Sequence, residues 1–87
     1  MEFSDIQKMV YQTSLEHGWH DKNITFGNFI ALTHSELSKA LQEYRKCGYT
    51  SDEVKTKLAD VVIRIIDWCG YYDVDLEKSI LEKICIQ

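Results

Sequence analysis

The chain has 87 residues, 45% of them hydrophobic, and a formal net charge of −4. A single domain of this length buries only a little over ~60% of its unfolded surface, so self-association is the simplest way to hide the surplus apolar area. An acidic balance with no basic block argues against duplex nucleic acid or an anionic membrane as partner.

Period-two alternation is absent, while helical spacing recurs in four segments. The first helix is expected from Ser4, where Ser4-x-x-Gln7 has the form of a capping box. Ile6, Met9, Val10, Thr13 and His17 share one face, and Gly18 supplies the stop. Trp19 and His20 follow in a connector. The second helix runs from about Thr25 to Lys46, with Phe26, Phe29, Ile30, Thr33, Leu37, Ala40, Leu41 and Tyr44 as its core stripe, and Cys47-Gly48 ends it. Thr50-x-x-Glu53 opens the third helix, which continues to about Cys69 before Gly70 breaks it. Asp75 caps a fourth helix carrying Leu76, Ile80, Leu81 and Ile84. Four helices with short connections predict an all-α fold, a small bundle filling one domain over residues 1–87.

No apolar stretch approaches the length of a membrane span, and MEFSDIQKM has no apolar signal region. Cys47, Cys69 and Cys85 read as small apolar residues in a reducing compartment, not as a disulfide frame. A cytoplasmic protein is therefore expected.

The third helix contains LADVVIRIIDWC (Leu58–Cys69), interrupted only by Asp60, Arg64 and Asp67 on one stripe. A helix apolar nearly all round belongs in an interior, so these charges should be paired or bound. Helix spacing alone suggests an intrahelical ladder, Asp60–Arg64 and Arg64–Asp67. The second helix offers Glu36, Lys39 and Glu43 at similar spacing. If the two helices pack antiparallel, Glu36 and Lys39 face Lys57 and Asp60. Carboxylates three residues apart on facing helices are how a bundle builds a magnesium site, and the ion would bridge phosphate oxygens.

The segments HSELSKALQEYR (His34–Arg45), LADVVIRIIDWCGYYDVDLEKSI (Leu58–Ile80) and LEHGW (Leu15–Trp19) resemble the MazG-like nucleotide pyrophosphohydrolases, within the wider all-α nucleoside triphosphate pyrophosphatases. The resemblance implies an oligomer, homodimer or tetramer, that hydrolyses nucleoside triphosphates to monophosphate and pyrophosphate. It implies Mg²⁺ held by an E-x-x-E pair and a downstream E-x-x-D pair. Carried over, Glu36 matches the first Glu and Asp60 the final Asp, so these two are the candidate metal ligands and catalytic residues. The other two positions hold Lys39 and Lys57. The chain also ends at Gln87, about where such proteins often continue into a basic segment.

Two carboxylates and two ammonium groups neutralise one another. At ~4 Å, a lysine gains roughly 4 kcal/mol of Coulomb energy from a carboxylate at an effective dielectric of 20. Three readings follow. In the first, Glu36 and Asp60 hold one Mg²⁺ whose shell substrate phosphates complete. Alternatively, the chain is a catalytically silent oligomerising module. Or Lys39 and Lys57 bind phosphates directly, without metal. Trp19 is the candidate to stack a nucleobase, although Trp19, Trp68, Tyr71 and Tyr72 also suit a core or an interface. Glu43 and Asp67 each lie about 10 Å along the helix from the retained acids and do not restore the pairs. His17, His20 and His34 lack zinc spacing and read as a helix-end cation, a loop residue and a helix-face residue. No cysteine has a base nearby in sequence that would make it a nucleophile.

Overall fold

A computed structural model describes residues 1–21 and 23–86; Lys22 and Gln87, and with Gln87 the question of a basic extension, lie outside the described residues. The described chain is all-α, with four helices and no strand: α1 (Phe3–Glu16), α2 (Phe26–Cys47), α3 (Asp52–Tyr71) and α4 (Leu76–Ile86). Among the described residues no helix is long and apolar enough to cross a membrane. Contacts gather into two units, one of Met1–Lys22 with Ile66–Gln87 and the other of Asn23–Ile65, and α3 contributes to both.

Local chemistry sets the helix ends. α1 begins one residue earlier than Ser4, after Glu2, whose backbone N–H donates to the Asp5 carboxylate at 3.0 Å. The Ser4–Gln7 box is therefore not the one used. An acid at Asp5 both accepts an orphan donor and faces the positive end of the helix dipole. Gly18 does end α1. With φ +65° it occupies the left-handed position, and the Gly18 and Trp19 N–H groups return to the Leu15 and Ser14 carbonyls in a Schellman closure. Thr25 caps α2, its Oγ1 accepting from the Asn28 N–H at 3.1 Å. Ser51, rather than Thr50, caps α3 by accepting from the Glu53 N–H. Asp75 caps α4 through the Lys78 N–H.

Gly70 does not break α3, which continues to Tyr71. The stop lies beyond it, where Asp73 takes φ 57° and the Asp73 and Val74 N–H groups close onto the Gly70 and Cys69 carbonyls. Asp tolerates the left-handed position better than most residues, so the same closure as at Gly18 forms without glycine. Gly70 serves packing instead. A Cβ there would stand 3.1 Å from Cδ1 of the Tyr11 ring, so its bare backbone lets α1 approach. Within this first unit Ser14, Ile66, Asp67 and Trp68 are buried, and the inward face of α1 is Gln7, Val10, Tyr11 and Ser14. The expected face is rotated, since Ile6 and Met9 are exposed.

The second unit pairs two heptad-spaced stripes. On α2 the inward residues are Phe29, Thr33, Glu36, Ala40 and Glu43; on α3 they are Val54, Lys57, Val61 and Arg64. The expected apolar stripe of α2 is thus split. Phe29 and Ala40 are buried, but Ile30, Leu37, Leu41 and Tyr44 are 43–51% exposed. α3 is likewise not enclosed all round, because Leu58, Val62 and Ile63 remain exposed.

Candidate functional site

Glu36, Lys39, Lys57 and Asp60 all belong to the second unit. Helical spacing turns Glu36 and Lys57 inward and leaves Lys39 and Asp60 outward. The Glu36 carboxylate is largely covered. Its Oε1 accepts a hydrogen bond from the Lys39 ammonium at 3.3 Å and lies 3.9 Å from Nη2 of Arg64. Two cations therefore converge on one oxygen of the retained acid.

The second cation is Arg64 and not Lys57. Both intrahelical pairs expected of α3 are replaced by longer-range partners: Arg64 turns to Glu36 on α2, and Asp67 turns to His20. The physical reason is burial. Arg64 lies on the inward stripe, where a facing carboxylate can compensate its desolvation better than exposed Asp60. Asp60 itself is exposed, not poorly solvated as expected, and among the described residues it and Lys57 have no ion-pair partner. Among the described residues no group of three or more His, Cys, Asp or Glu gathers at metal-binding range.

The first unit holds the densest polar contact, and His20 is no ordinary loop residue. Its Nε2 lies 3.0 Å from each oxygen of Asp67, with both side chains almost fully buried at 7% and 4% exposure. This carboxylate makes Nε2 the donor nitrogen. The Tyr71 ring stacks on the imidazole at 3.9 Å and 3°, and the Trp68 ring meets it edge-on at 4.6 Å. Tyr72 stacks in turn on Trp68. His20 Nδ1 is buried without a hydrogen-bond partner. Trp68, Tyr71 and Tyr72 thus form an aromatic housing for the pair. Trp19, by contrast, is 42% exposed and stands near His17 at a tilted 6.2 Å.

Sequence reasoning missed the His20–Asp67 contact because its partners lie 47 residues apart. The available signal was negative: Asp67 sits between Ile66 and Trp68 in an apolar run, so a buried acid there requires a partner from elsewhere. Burial pushes the Cys69 thiol above its ordinary range, which makes it a poorer nucleophile.

No family model, no curated protein and no solved structure matches the chain.

Proposed function

We propose that this chain is a MazG-like all-α protein whose metal-dependent pyrophosphohydrolase site has become an ion-pair network. Turnover of nucleoside triphosphates is weak or lost, and the chain works as a self-assembling module. The observation that carries this reading is the capture of Glu36 by Lys39 and Arg64 on a single oxygen. A divalent cation approaching that oxygen meets two positive charges already seated there. Displacing them means breaking a hydrogen bond and leaving part of an arginine without its counter-charge.

A second reading draws on Asp60. Being exposed and without an ion-pair partner among the described residues, it is free to take one vertex of a Mg²⁺ that arrives on substrate phosphates. In that case Glu36 and Asp60 hold the ion and Lys39 and Lys57 contact phosphates. Metal-free phosphate binding by Lys39 and Lys57 is the remaining form of this idea.

Calorimetric titration of Mg²⁺ and Mn²⁺, with and without a non-hydrolysable nucleoside triphosphate, separates the readings. The module reading expects no heat from wild type at millimolar metal and expects Lys39→Glu with Lys57→Glu to gain metal binding. Mg²⁺-dependent pyrophosphate release that Glu36→Gln and Asp60→Asn abolish overturns it in favour of an enzyme. Nucleotide binding that survives EDTA and weakens in Lys39→Ala overturns it in favour of a sensor.

A further inference from the structure

We infer that Arg64 and Lys39 form a metal-free binding site for a small tetrahedral oxyanion, inorganic phosphate or sulfate, which the Glu36 carboxylate plugs in the empty chain. This rests on the reading above, in which an ion-pair network stands where the metal would be, and names what the network accepts instead.

Charge gives the first argument. Lys39 and Arg64 converge on Oε1 of Glu36 at 3.3 and 3.9 Å, so this cluster of three keeps one positive charge in excess. The acids beside it do not cancel that charge. Asp60 is exposed, and among the described residues neither Asp60 nor Glu43 makes an ion pair with either cation. In a chain of net charge −4, such a local excess is where an anion is drawn.

Geometry gives the second, because Glu36 fits its cations poorly. Charge-assisted N–H···O⁻ bonds close to about 2.7–2.9 Å, and neither contact does. Arg64 is also half used. Its Nε and Nη2 donate from one edge of the planar guanidinium, the edge that holds a carboxylate or phosphate through two parallel bonds. Nη2 is the nitrogen that approaches Glu36, whereas Nε is buried without a hydrogen-bond partner. A buried donor left unmade is costly, so the missing acceptor is the mark of a ligand. A free oxyanion presents acceptors in every direction. Two of its oxygens can take the Nε and Nη2 donors while a third takes the Lys39 ammonium. Glu36 is tethered to α2 and offers a single oxygen to both cations.

Burial sets the size of the anion. The Glu36 side chain is 18% exposed, against 34% for Arg64 and 52% for Lys39. The carboxylate therefore lies deepest, and an anion reaches Nε by taking the room that it leaves. That room suits an unsubstituted phosphate or sulfate and excludes the bulk of a nucleotide. The displaced Glu36 turns to the solvent it already touches.

Calorimetric titration of inorganic phosphate and of sulfate in EDTA at low ionic strength tests the proposal, with circular dichroism verifying the fold of each variant. Wild type should bind both anions. Glu36→Gln removes the competing charge at nearly constant size, so phosphate should bind about tenfold more tightly. Arg64→Lys keeps the charge but loses the paired donors and should weaken binding by about tenfold. Lys55→Ala, an exposed lysine elsewhere on α3, should change nothing. No phosphate binding by folded wild type and folded Glu36→Gln overturns this proposal and spares the ion-pair reading. Binding that Lys57→Ala abolishes and Arg64→Lys leaves intact overturns the assignment to arginine. Phosphate binding only in the presence of Mg²⁺ overturns both readings. A non-hydrolysable nucleoside triphosphate bound in EDTA more tightly than phosphate also overturns both, in favour of a nucleotide sensor.

Discussion

Two polar contacts to a carboxylate, one in each unit, are similar on paper and opposite in physical character. His20 and Asp67 meet at 3.0 Å with almost no solvent access, walled by aromatic rings. Lys39 and Glu36 meet at 3.3 Å with the lysine half exposed, and Arg64 stands behind them at 3.9 Å. Low dielectric makes the first contact strong and costly to break, while water screens much of the second. The difference teaches that strength and functional weight need not coincide. The buried pair holds the connector after α1 to the end of α3. The exposed one contributes little stability yet occupies the oxygen a metal ion would need.

The largest effect that separates the two is expected from Asp67→Ala. It leaves the buried His20 imidazole without its carboxylate, at a cost of about 3 kcal/mol. In a chain of this size that corresponds to a fall in melting temperature on the order of 15 °C. Urea denaturation checks it, with Asp67→Asn as a milder control that keeps a hydrogen-bond acceptor. A loss within experimental scatter for Asp67→Ala would mean the pair is not buried in solution and would erase the contrast.

Tyr71→Leu tests the housing rather than the hydrogen bond. The tyrosine stacks on His20 and meets Trp68 and Tyr72 near-perpendicularly. Replacing it keeps apolar volume but removes the ring geometry, so the loss should be about 1 kcal/mol. The indole fluorescence of Trp68 should change as well, since Trp68 belongs to the same cluster. A variant as stable as wild type would show that the stacking follows the pair and does not support it.

How far the sequence revealed these features depended on range. Helix number, the start of α2 near Thr25, the cap at Asp75 and the stop at Gly18 follow from residues within one turn of each other. Adjacent hydroxyls at Thr50 and Ser51 are a near tie that only geometry breaks. Gly70 carries the local mark of a breaker, but what it accommodates is Tyr11 on another helix, and that is invisible to any local window. For the candidate site, the Glu36–Lys39 pair is an i, i+3 neighbour and was legible. Arg64 reaching Glu36 and His20 reaching Asp67 depend on which stripe of each helix turns inward. The heptad rows Phe29–Thr33–Glu36–Ala40 and Val54–Lys57–Val61–Arg64 were present in the sequence, but polar members inside them masked the pattern.

The smallest expected stability change bears most directly on function. Lys39→Ala removes the half-exposed partner of Glu36, and an exposed pair of this kind is worth under ~1 kcal/mol, so the melting temperature without metal should hardly move. Arg64 alone, at 3.9 Å and off the ideal hydrogen-bond distance, then faces the carboxylate. Glu36 should consequently accept a divalent cation more readily than in wild type. Thermal unfolding in EDTA and in millimolar Mg²⁺ reads this as a linkage: any ion that binds only the folded state raises its stability in proportion to occupancy. Mg²⁺ should raise the melting temperature of Lys39→Ala while leaving wild type unchanged. An equal response from both proteins would mean that Lys39 does not guard Glu36, and the metal question would then pass to Arg64.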